Sequence, residues 1–117
     1  MSQAITRLDQ NARRSRAVIH NGTVYLAGHT ADDRSLDVAG QTRQVLAKVD
    51  EMLAASGTDK SKALMVTIWL ADMQDFAAMN SVYDAWIVPG QAPARCCGKV
   101  ELAAPDIRVE IMVTAAL

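Results

Sequence analysis

The stretch 93-PARCCGKVELAAPDIRVEI-111 decides the predicted fold of this 117-residue chain. It contains two short β-rich runs, about 95–102 and 107–115, on either side of the turn AAPD at 103–106. A four-residue loop between two such runs predicts an antiparallel hairpin. The C-terminal quarter of the chain is therefore expected to supply two neighbouring strands.

The charges in this stretch support one register for the predicted hairpin. Lys99 would face Glu110 and Glu101 would face Arg108, and such opposite-charge pairs contribute about 0.2–1 kcal/mol each. This register gives Glu110 a purely structural role, the balancing of a lysine. It also places five side chains on one face of the sheet, since side chains alternate along a strand: Arg95, Cys97, Lys99, Glu110 and Met112. An arginine that grips a carboxylate and a glutamate that orients water would form a small active site there.

The preceding sequence adds a second hairpin, two helices and one more strand. Asn21-Gly22 separates two β-rich runs in AVIHNGTVYLAGH and predicts a tight turn, because both residues tolerate positive φ. Ser35 or Asp37 can cap a helix over about 38–56, whose apolar residues recur at spacings of three, four and seven. The continuous apolar run KALMVTIWLAD is typical of a strand buried on both faces. Asp72 can cap a second helix that ends before Pro89.

The predicted order is ββαβαββ, which defines an α+β fold: a mixed sheet with two helices on one face. The length fits a single domain, 1–117, with residues 1–16 as a polar, irregular lead-in. Nothing in the chain would cover the second face of the sheet. Half of the residues are hydrophobic, so a partner subunit is the expected cover.

Composition limits the function classes. A net charge of -1 and a pI near 6.0 give no general attraction for nucleic acid. The cluster of Arg13, Arg14 and Arg16 is interpreted as a solvated edge in preference to an anion site. Two adjacent cysteines, Cys96 and Cys97, favour free thiols and hence the cytoplasm. No apolar run has the length of a signal peptide core or a membrane span.

Particular motifs resemble the Rid family, the reactive-intermediate imine/enamine deaminases also called the YjgF family. The C-terminal signature is matched by Arg95, Cys97, Pro105 and the run Val109-Glu110-Ile111. VYLAGH is similar to the family strand that ends in a pocket glycine, here Gly28. DMQDFAAMNSVYDAW is similar to its second-helix motif, with Asn80 and Tyr83 matching.

The resemblance implies a chorismate-mutase-like fold assembled as a homotrimeric barrel with pockets at the subunit interfaces. It implies hydrolysis of 2-aminoacrylate or 2-iminopropanoate type acids to 2-oxo acids and ammonia, without cofactor or metal. Arg95 would bind the substrate carboxylate and Glu110 would hold the attacking water. The backbone of Cys97 would bond the imine nitrogen, Gly28 would let the ligand approach the main chain, and Asn80 is either a pocket residue or a helix-surface amide.

The chain departs from the family pattern at ARRSRA, where many deaminases carry Gly-Pro-Tyr. Arg14 or Ser15 stands at the tyrosine position, and an arginine there would favour a more acidic substrate. Two other functions stay open: a non-catalytic trimer that binds small carboxylates, and an endoribonuclease or translation inhibitor. Cys97 is expected to act by packing more than as a nucleophile or redox sensor, and His29 as a polar loop residue more than as a pocket residue. His20, His29 and the cysteines lack the spacing of a zinc site.

Overall fold

A computed structural model describes residues 4–117. The strands are β1 (Thr6–Gln10), β2 (Ser15–His20), β3 (Thr23–Leu26), β4 (Ala63–Leu70), β5 (Ala94–Lys99) and β6 (Val109–Ala116). The helices are α1 (Val38–Ala55) and α2 (Phe76–Trp86). Short 3-10 turns at Lys60–Lys62 and Met73–Asp75 lead into β4 and α2.

All six strands belong to one mixed sheet in the order β1-β2-β3-β6-β4-β5. Every neighbouring pair is antiparallel except β4 and β5, which are parallel. Both helices pack on one face of the sheet, as the sequence predicted. Among the described residues, no helix is both long enough and apolar enough to cross a membrane.

Local sequence explains where the helices begin and end. The Asp37 side chain accepts a hydrogen bond from the Gly40 N–H at 2.9 Å and caps α1. Gly57, just after the helix, has a φ of 90°, a conformation that glycine adopts without steric cost. The turn between β2 and β3 is confirmed in the same way, because Asn21 and Gly22 both have positive φ.

The core lies between the helices and one face of the sheet. Alternate residues of the two central strands face it and are buried: Val66, Ile68, Leu70, Val109, Ile111 and Val113. The intervening residues Met65, Thr67, Trp69 and Met112 lie on the opposite, open face and are only half-buried. β4 was expected to be buried on both faces. In the single chain only its helix face is buried, and its other face is half-buried.

The predicted C-terminal hairpin is wrong. β5 pairs in parallel with β4, with Arg95 beside Val66, and β6 pairs with β4 and β3 instead. The cause is the helix α2, which returns the chain to the end of the sheet where β4 began, so that the next strand runs parallel. Residues 100–108 then carry the chain back across β4, and β6 enters the slot between β3 and β4.

The charge pairs that supported the hairpin do not form. Lys99 lies beside Leu70 on the outer strand, and Glu110 lies beside Trp69 in the centre of the sheet. Arg108 binds the Asp75 carboxylate, with Nη2 at 3.1 Å from both oxygens. Complementary charges on two successive strands were therefore compatible with more than one topology.

The N-terminal segment is also more regular than predicted. Residues 1–3 lie outside the described part of the chain, but Thr6–Gln10 forms the edge strand β1 and pairs with β2. Four of its five residues are exposed, and Leu8 alone is half-buried. An edge strand with so little buried surface carries no apolar alternation, so the sequence of residues 1–16 gives no strand signal.

Candidate functional site

Arg95 is held against α2 by three side chains of that helix. Its Nη1 donates a hydrogen bond to the Asn80 Oδ1 at 2.7 Å. The guanidinium carbon lies 4.8 Å from the ring centre of Tyr83 and 5.9 Å from that of Phe76. Aromatic faces attract a guanidinium, so the two rings and the amide fix its plane and orientation. The Asn80 side chain is therefore engaged by Arg95.

The Arg95 guanidinium forms no ion pair with residues 4–117. It is half-buried, and its bond to Asn80 leaves most of its N–H groups for another acceptor. A half-buried positive charge with no acidic partner among residues 4–117 is suited to an anionic ligand. Of the residues that the sequence singled out, Arg95 has the clearest geometry of a binding group.

The surroundings of Cys97 partly bury its thiol and turn its backbone N–H outward from the sheet. The side chain packs against the hydrophobic core, and burial raises the pKa of the thiol, which disfavours a thiolate nucleophile. The Val100 N–H bonds to the Leu70 carbonyl, and N–H groups alternate in direction along a strand. The N–H of Cys97 therefore points away from β4 to the unpaired edge of the sheet, where a ligand could accept it.

Glu110 lies against Gly28, and the present position of its carboxylate leaves no room for a Cβ at residue 28. A Cβ at position 28 would overlap the carboxylate of Glu110. The Glu110 carboxylate forms no ion pair with residues 4–117. The structure thus brings together two residues that the sequence singled out for separate roles, and the carboxylate has no positive partner among residues 4–117.

His29 is a buried residue that the sequence interpretation placed on a polar loop. Only 4% of it is exposed, and its backbone exchanges two hydrogen bonds with Ile111, the residue after Glu110. Nδ1 lies 2.8 Å from the Ala27 carbonyl, which can only accept, and Arg16 Nε donates to Nε2 at 3.3 Å. The proton is therefore on Nδ1. Burial and the nearby Arg16 charge lower the pKa of His29.

Arg95 and Glu110 do not share a face of the sheet, contrary to the prediction. Arg95 lies beside Val66, on the helix face, whereas Glu110 lies beside Trp69, on the open face. The error follows from the incorrect hairpin register, since a different partner strand changes which residues stand together. β4 also separates their two strands, a spacing of about 10 Å. One chain alone does not bring the two groups to a common ligand.

Arg14 is also remote from Arg95. It lies at the turn between β1 and β2, whereas Arg95 is on β5, the strand at the opposite end of the sheet. Four strand spacings from β2 to β5 correspond to about 19 Å. A shared ligand would therefore have to lie between different chains.

Two further features bear on where a ligand could lie. A concavity of about 580 Å³ is bordered by Ala71 and the loop 99–105, which includes the motif residue Pro105. Its lining contains neither Arg95 nor Glu110. Within residues 4–117, no group of three or more His, Cys, Asp or Glu side chains could hold a metal ion.

The fold and the site define a class: a small α+β protein with two helices on a six-stranded mixed sheet and an arginine positioned by a helix at the sheet edge. The profile of the family described as "Endoribonuclease L-PSP" matches residues 4–117. The chain belongs to this family, whose members are also named YjgF or RutC proteins.

Individual relatives agree over nearly the whole length. A RutC family protein of Haemophilus ducreyi is 46% identical over 113 residues, 97% of both chains. The RutC family protein YoaB of Escherichia coli is 45% identical over 97% of this chain and 98% of that protein. A YjgF family structure from Neisseria meningitidis superposes with a TM-score of 0.94 at 42% identity, covering 97% of this chain and 94% of that one.

A more distant relative carries a functional name. Reactive Intermediate Deaminase A, chloroplastic, from Arabidopsis thaliana is 36% identical over 109 residues. The match covers 88% of this chain and 58% of that protein. The family therefore includes a protein named as a deaminase, while the more similar relatives carry only the RutC family name.

Proposed function

We propose that this protein hydrolyses small imine or enamine acids of the 2-iminopropanoate and 2-aminoacrylate type to 2-oxo acids and ammonia. The observation that carries the proposal is the Arg95 guanidinium, which α2 orients and which has no acidic partner in residues 4–117. Membership of a family with a member named as a reactive intermediate deaminase supports it.

The chemistry follows from the available groups. Arg95 would bind the substrate carboxylate through N–H groups that Asn80 leaves unused. The outward N–H of Cys97 would hydrogen-bond the imine nitrogen. A 2-aminoacrylate first tautomerises to the imine, as a proton moves from nitrogen to the methylene carbon. Glu110 would take a proton from water as the water oxygen attacks the C=N carbon, and would pass that proton to the nitrogen. The hydroxyl group of the tetrahedral intermediate then gives its proton to the amine as the C–N bond breaks, which releases ammonia and leaves the 2-oxo acid. No step requires a metal or cofactor.

We propose that the working site lies between chains of a homotrimer. The open face carries half-buried Trp69 and Met112 and exposed Tyr25, an apolar surface that a second chain can cover. Since Arg95 and Glu110 lie on opposite faces of one sheet, a pocket containing both requires Arg95 from one chain and Glu110 from its neighbour. Arg14 lies far from Arg95 of its own chain, so it would reach such a pocket only beside the Arg95 of another chain.

The proposal is tested with 2-iminopropanoate made in place by an amino-acid oxidase, with semicarbazide trapping the imine. The protein should slow semicarbazone formation, and Arg95→Ala should lower kcat/KM at least about 100-fold, because two charge-assisted hydrogen bonds are worth about 3 kcal/mol or more. Arg43→Ala, which removes an exposed arginine of α1, is the matched control and should keep full activity. An inactive wild type would reject the proposed substrate class.

A non-catalytic carboxylate binder is the second candidate, because the oriented Arg95 alone would serve it. Glu110→Gln separates the two functions. In an enzyme, turnover should collapse while the affinity for 2-oxobutanoate persists. In a binder, the wild type and Glu110→Gln should both bind 2-oxobutanoate, and neither should hydrolyse 2-iminopropanoate.

Nuclease activity is a weaker candidate despite the family description. A net charge of -1 provides little general attraction for a polyanion. RNA binding that weakens with salt, together with cleavage by the purified protein, would reverse this ranking.

We also propose a cytoplasmic location for the protein. Cys96 and Cys97 are both unbridged, and free thiols are typical of a reducing compartment.

A further inference from the structure

The ion pair between Asp75 and Arg108 joins the beginning of α2 to the loop that enters β6. Arg108 Nη2 lies 3.1 Å from both oxygens of the Asp75 carboxylate, and Nε donates to Oδ2 at 3.3 Å. The Asp75 side chain is only 14% exposed. Two guanidinium nitrogens on one carboxylate fix the direction of the contact as well as its length.

The other ion pairs of residues 4–117 form a single hydrogen bond each: Arg16 with Asp9, Arg34 with Asp106, and Lys48 with Asp32. A single contact lets the two side chains turn about each other. The fork-like pair of Asp75 and Arg108 is therefore the one, within this part of the chain, whose geometry is suited to holding two elements at a fixed distance.

The backbone of Arg108 is fixed independently of the ion pair. Its N–H donates to the Gln41 Oε1 at 2.9 Å, and the amide of Gln41 is completely buried. Its carbonyl accepts from the Ala71 N–H at 3.1 Å, which continues the pairing of β4 with β6. The guanidinium therefore extends from a backbone that the sheet and α1 already hold.

The first turn of α2 uses the same pair as its attachment to the sheet. Asp75 stands at the N-cap of the helix, but its side chain forms no capping hydrogen bond with the helix backbone. The Asp75 carboxylate binds Arg108 instead. An aspartate in a position that normally serves the helix is thus used to connect the helix to the loop before β6.

α2 in turn holds the guanidinium of Arg95. Phe76 directly follows Asp75, and Asn80 and Tyr83 lie about one and two turns further along the helix. These three side chains are the ones that contact Arg95. Arg95 itself is on β5, which pairing with β4 fixes separately. A displacement of α2 relative to the sheet would therefore move the amide and the two rings away from the guanidinium that they orient.

We propose that Asp75 and Arg108 are positioning residues for carboxylate binding at Arg95, an inference that rests on the proposed function. The ion pair sets the place of α2 on the sheet, and α2 sets the plane of the guanidinium that receives the substrate. Bidentate binding of a carboxylate depends on that plane, so loss of the pair should weaken substrate binding. The Arg108 backbone keeps its bonds to Gln41 and Ala71, so Glu110, two residues further on, should keep its place.

A positioning role and a purely electrostatic role give opposite results in one of the two variants. Arg108→Gln removes a positive charge, whereas Asp75→Asn removes a negative charge. If the two groups acted on an anionic ligand through charge alone, the first variant would weaken binding and the second would tighten it. If they act as a pair, both variants should weaken binding by the same factor. The double variant should then lose no more than either single variant, because one interaction is broken in all three.

Isothermal titration calorimetry of the full chain with 2-oxobutanoate, together with the kinetics of 2-iminopropanoate hydrolysis, tests the proposal. Both single variants and the double variant should raise Kd and KM roughly fivefold to tenfold and keep kcat within about twofold of the wild type. Arg108→Lys keeps one charged hydrogen bond and should lie between Arg108→Gln and the wild type.

The matched control is Arg34→Gln, which breaks the exposed pair with Asp106 in the same loop before β6. It should bind 2-oxobutanoate as the wild type does. Urea denaturation of every variant shows the fraction folded under the assay conditions. A loss of stability without a change in Kd would mean that the pair serves the fold alone, which would overturn the inference.

Two further results would also contradict it: shifts of Kd in opposite directions for Arg108→Gln and Asp75→Asn, or a loss confined to kcat. Arg95→Ala separates this inference from the proposed function. If that variant loses 2-oxobutanoate binding while the pair variants bind as the wild type does, only the positioning role fails. If Arg95→Ala binds as tightly as the wild type, the proposed function fails, and the positioning role fails with it.

Discussion

At the scale of the residue, Gly28 is constrained by a neighbour on another strand. Because a Cβ there would overlap the Glu110 carboxylate, Gly28→Ala must displace that side chain. If Glu110 holds the attacking water, a shift of about 1 Å should lower kcat about 100-fold, while substrate affinity at Arg95 changes little. Gly98→Ala is the matched control, since a Cβ at that position meets no atom within 4 Å. Equal kcat values for the two variants would show that the contact does not position a catalytic group.

His29 gives a second prediction at this scale, on the pH dependence of stability. Because burial and Arg16 lower its pKa in the folded state, the unfolded chain takes up the proton more readily. The free energy of unfolding should therefore fall as the pH drops below about 6.5, with a slope of at most about 1.4 kcal/mol per pH unit from this residue. Urea denaturation of the wild type and of His29→Gln between about pH 7 and pH 5 measures the effect.

The histidine experiment has an internal control. His20→Gln replaces the other histidine, which stands beside the β2–β3 turn, and should retain the wild-type slope. A slope that is the same in His29→Gln and in the wild type would show that other groups cause the pH dependence. The sequence could not indicate this role, because Arg16 lies 13 positions away and only the folded chain brings it to the imidazole.

At the scale of the element, Gln41 on α1 joins two loops to each other. Its amide is completely buried, and Nε2 donates to the carbonyls of Arg34, Leu36 and Asp106 at 3.0–3.3 Å. Its Oε1 accepts from the Arg108 N–H at 2.9 Å. The segment before α1 and the loop before β6 are therefore fixed by one side chain, which also sets the start of the strand that carries Glu110.

Gln41→Leu should lower the free energy of unfolding by about 2–4 kcal/mol, because buried N–H and carbonyl groups would lose their partners. Equilibrium urea denaturation measures this loss. Gln44→Leu is the control: this half-buried side chain accepts one bond from Asp33 N–H at the surface and should cost less than about 1 kcal/mol. Similar losses in both variants would contradict a special role for Gln41.

The elements differ in how far the sequence predicted them. α1 and the β2–β3 turn depend on local signals, namely apolar periodicity, the Asp37 cap and Asn-Gly, and were found where expected. α2 ends before Pro89 as predicted, but Asp72 caps the 3-10 turn Met73–Asp75 and the α-helix begins only at Phe76. The order of the strands depends on contacts between distant segments. β5 and β6 are adjacent in sequence and separated by β4 in the sheet, a difference that cross-strand charges could not reveal. The hydrogen bond between Arg95 and Asn80 was not predicted, because the family signature indicated each residue separately and the assumed register placed Arg95 with β6 residues.

At the scale of the whole molecule, the open face and the positions of Arg95 and Glu110 lead to one prediction. If each site takes Arg95 from one chain and Glu110 from the next, Arg95→Ala and Glu110→Gln damage opposite halves of the site. Each variant alone should be inactive. In trimers that contain both, some interfaces would combine an intact arginine with an intact glutamate, so activity should return.

Coexpression of the two variants with different affinity tags, followed by sequential purification, isolates the mixed assemblies. Random assembly of equal amounts leaves about one site in four with both native residues, so the unfractionated mixture should have about a quarter of the wild-type kcat. The control is coexpression of the wild type with a double variant that carries Arg95→Ala and Glu110→Gln in one chain. It measures how far inactive chains dilute the activity of the wild type. If Arg95 and Glu110 served one site within a single chain, every site in the mixture of single variants would be defective. Mixed trimers without activity, beside an active wild type, would therefore show that the two residues act from the same chain or that they do not act together.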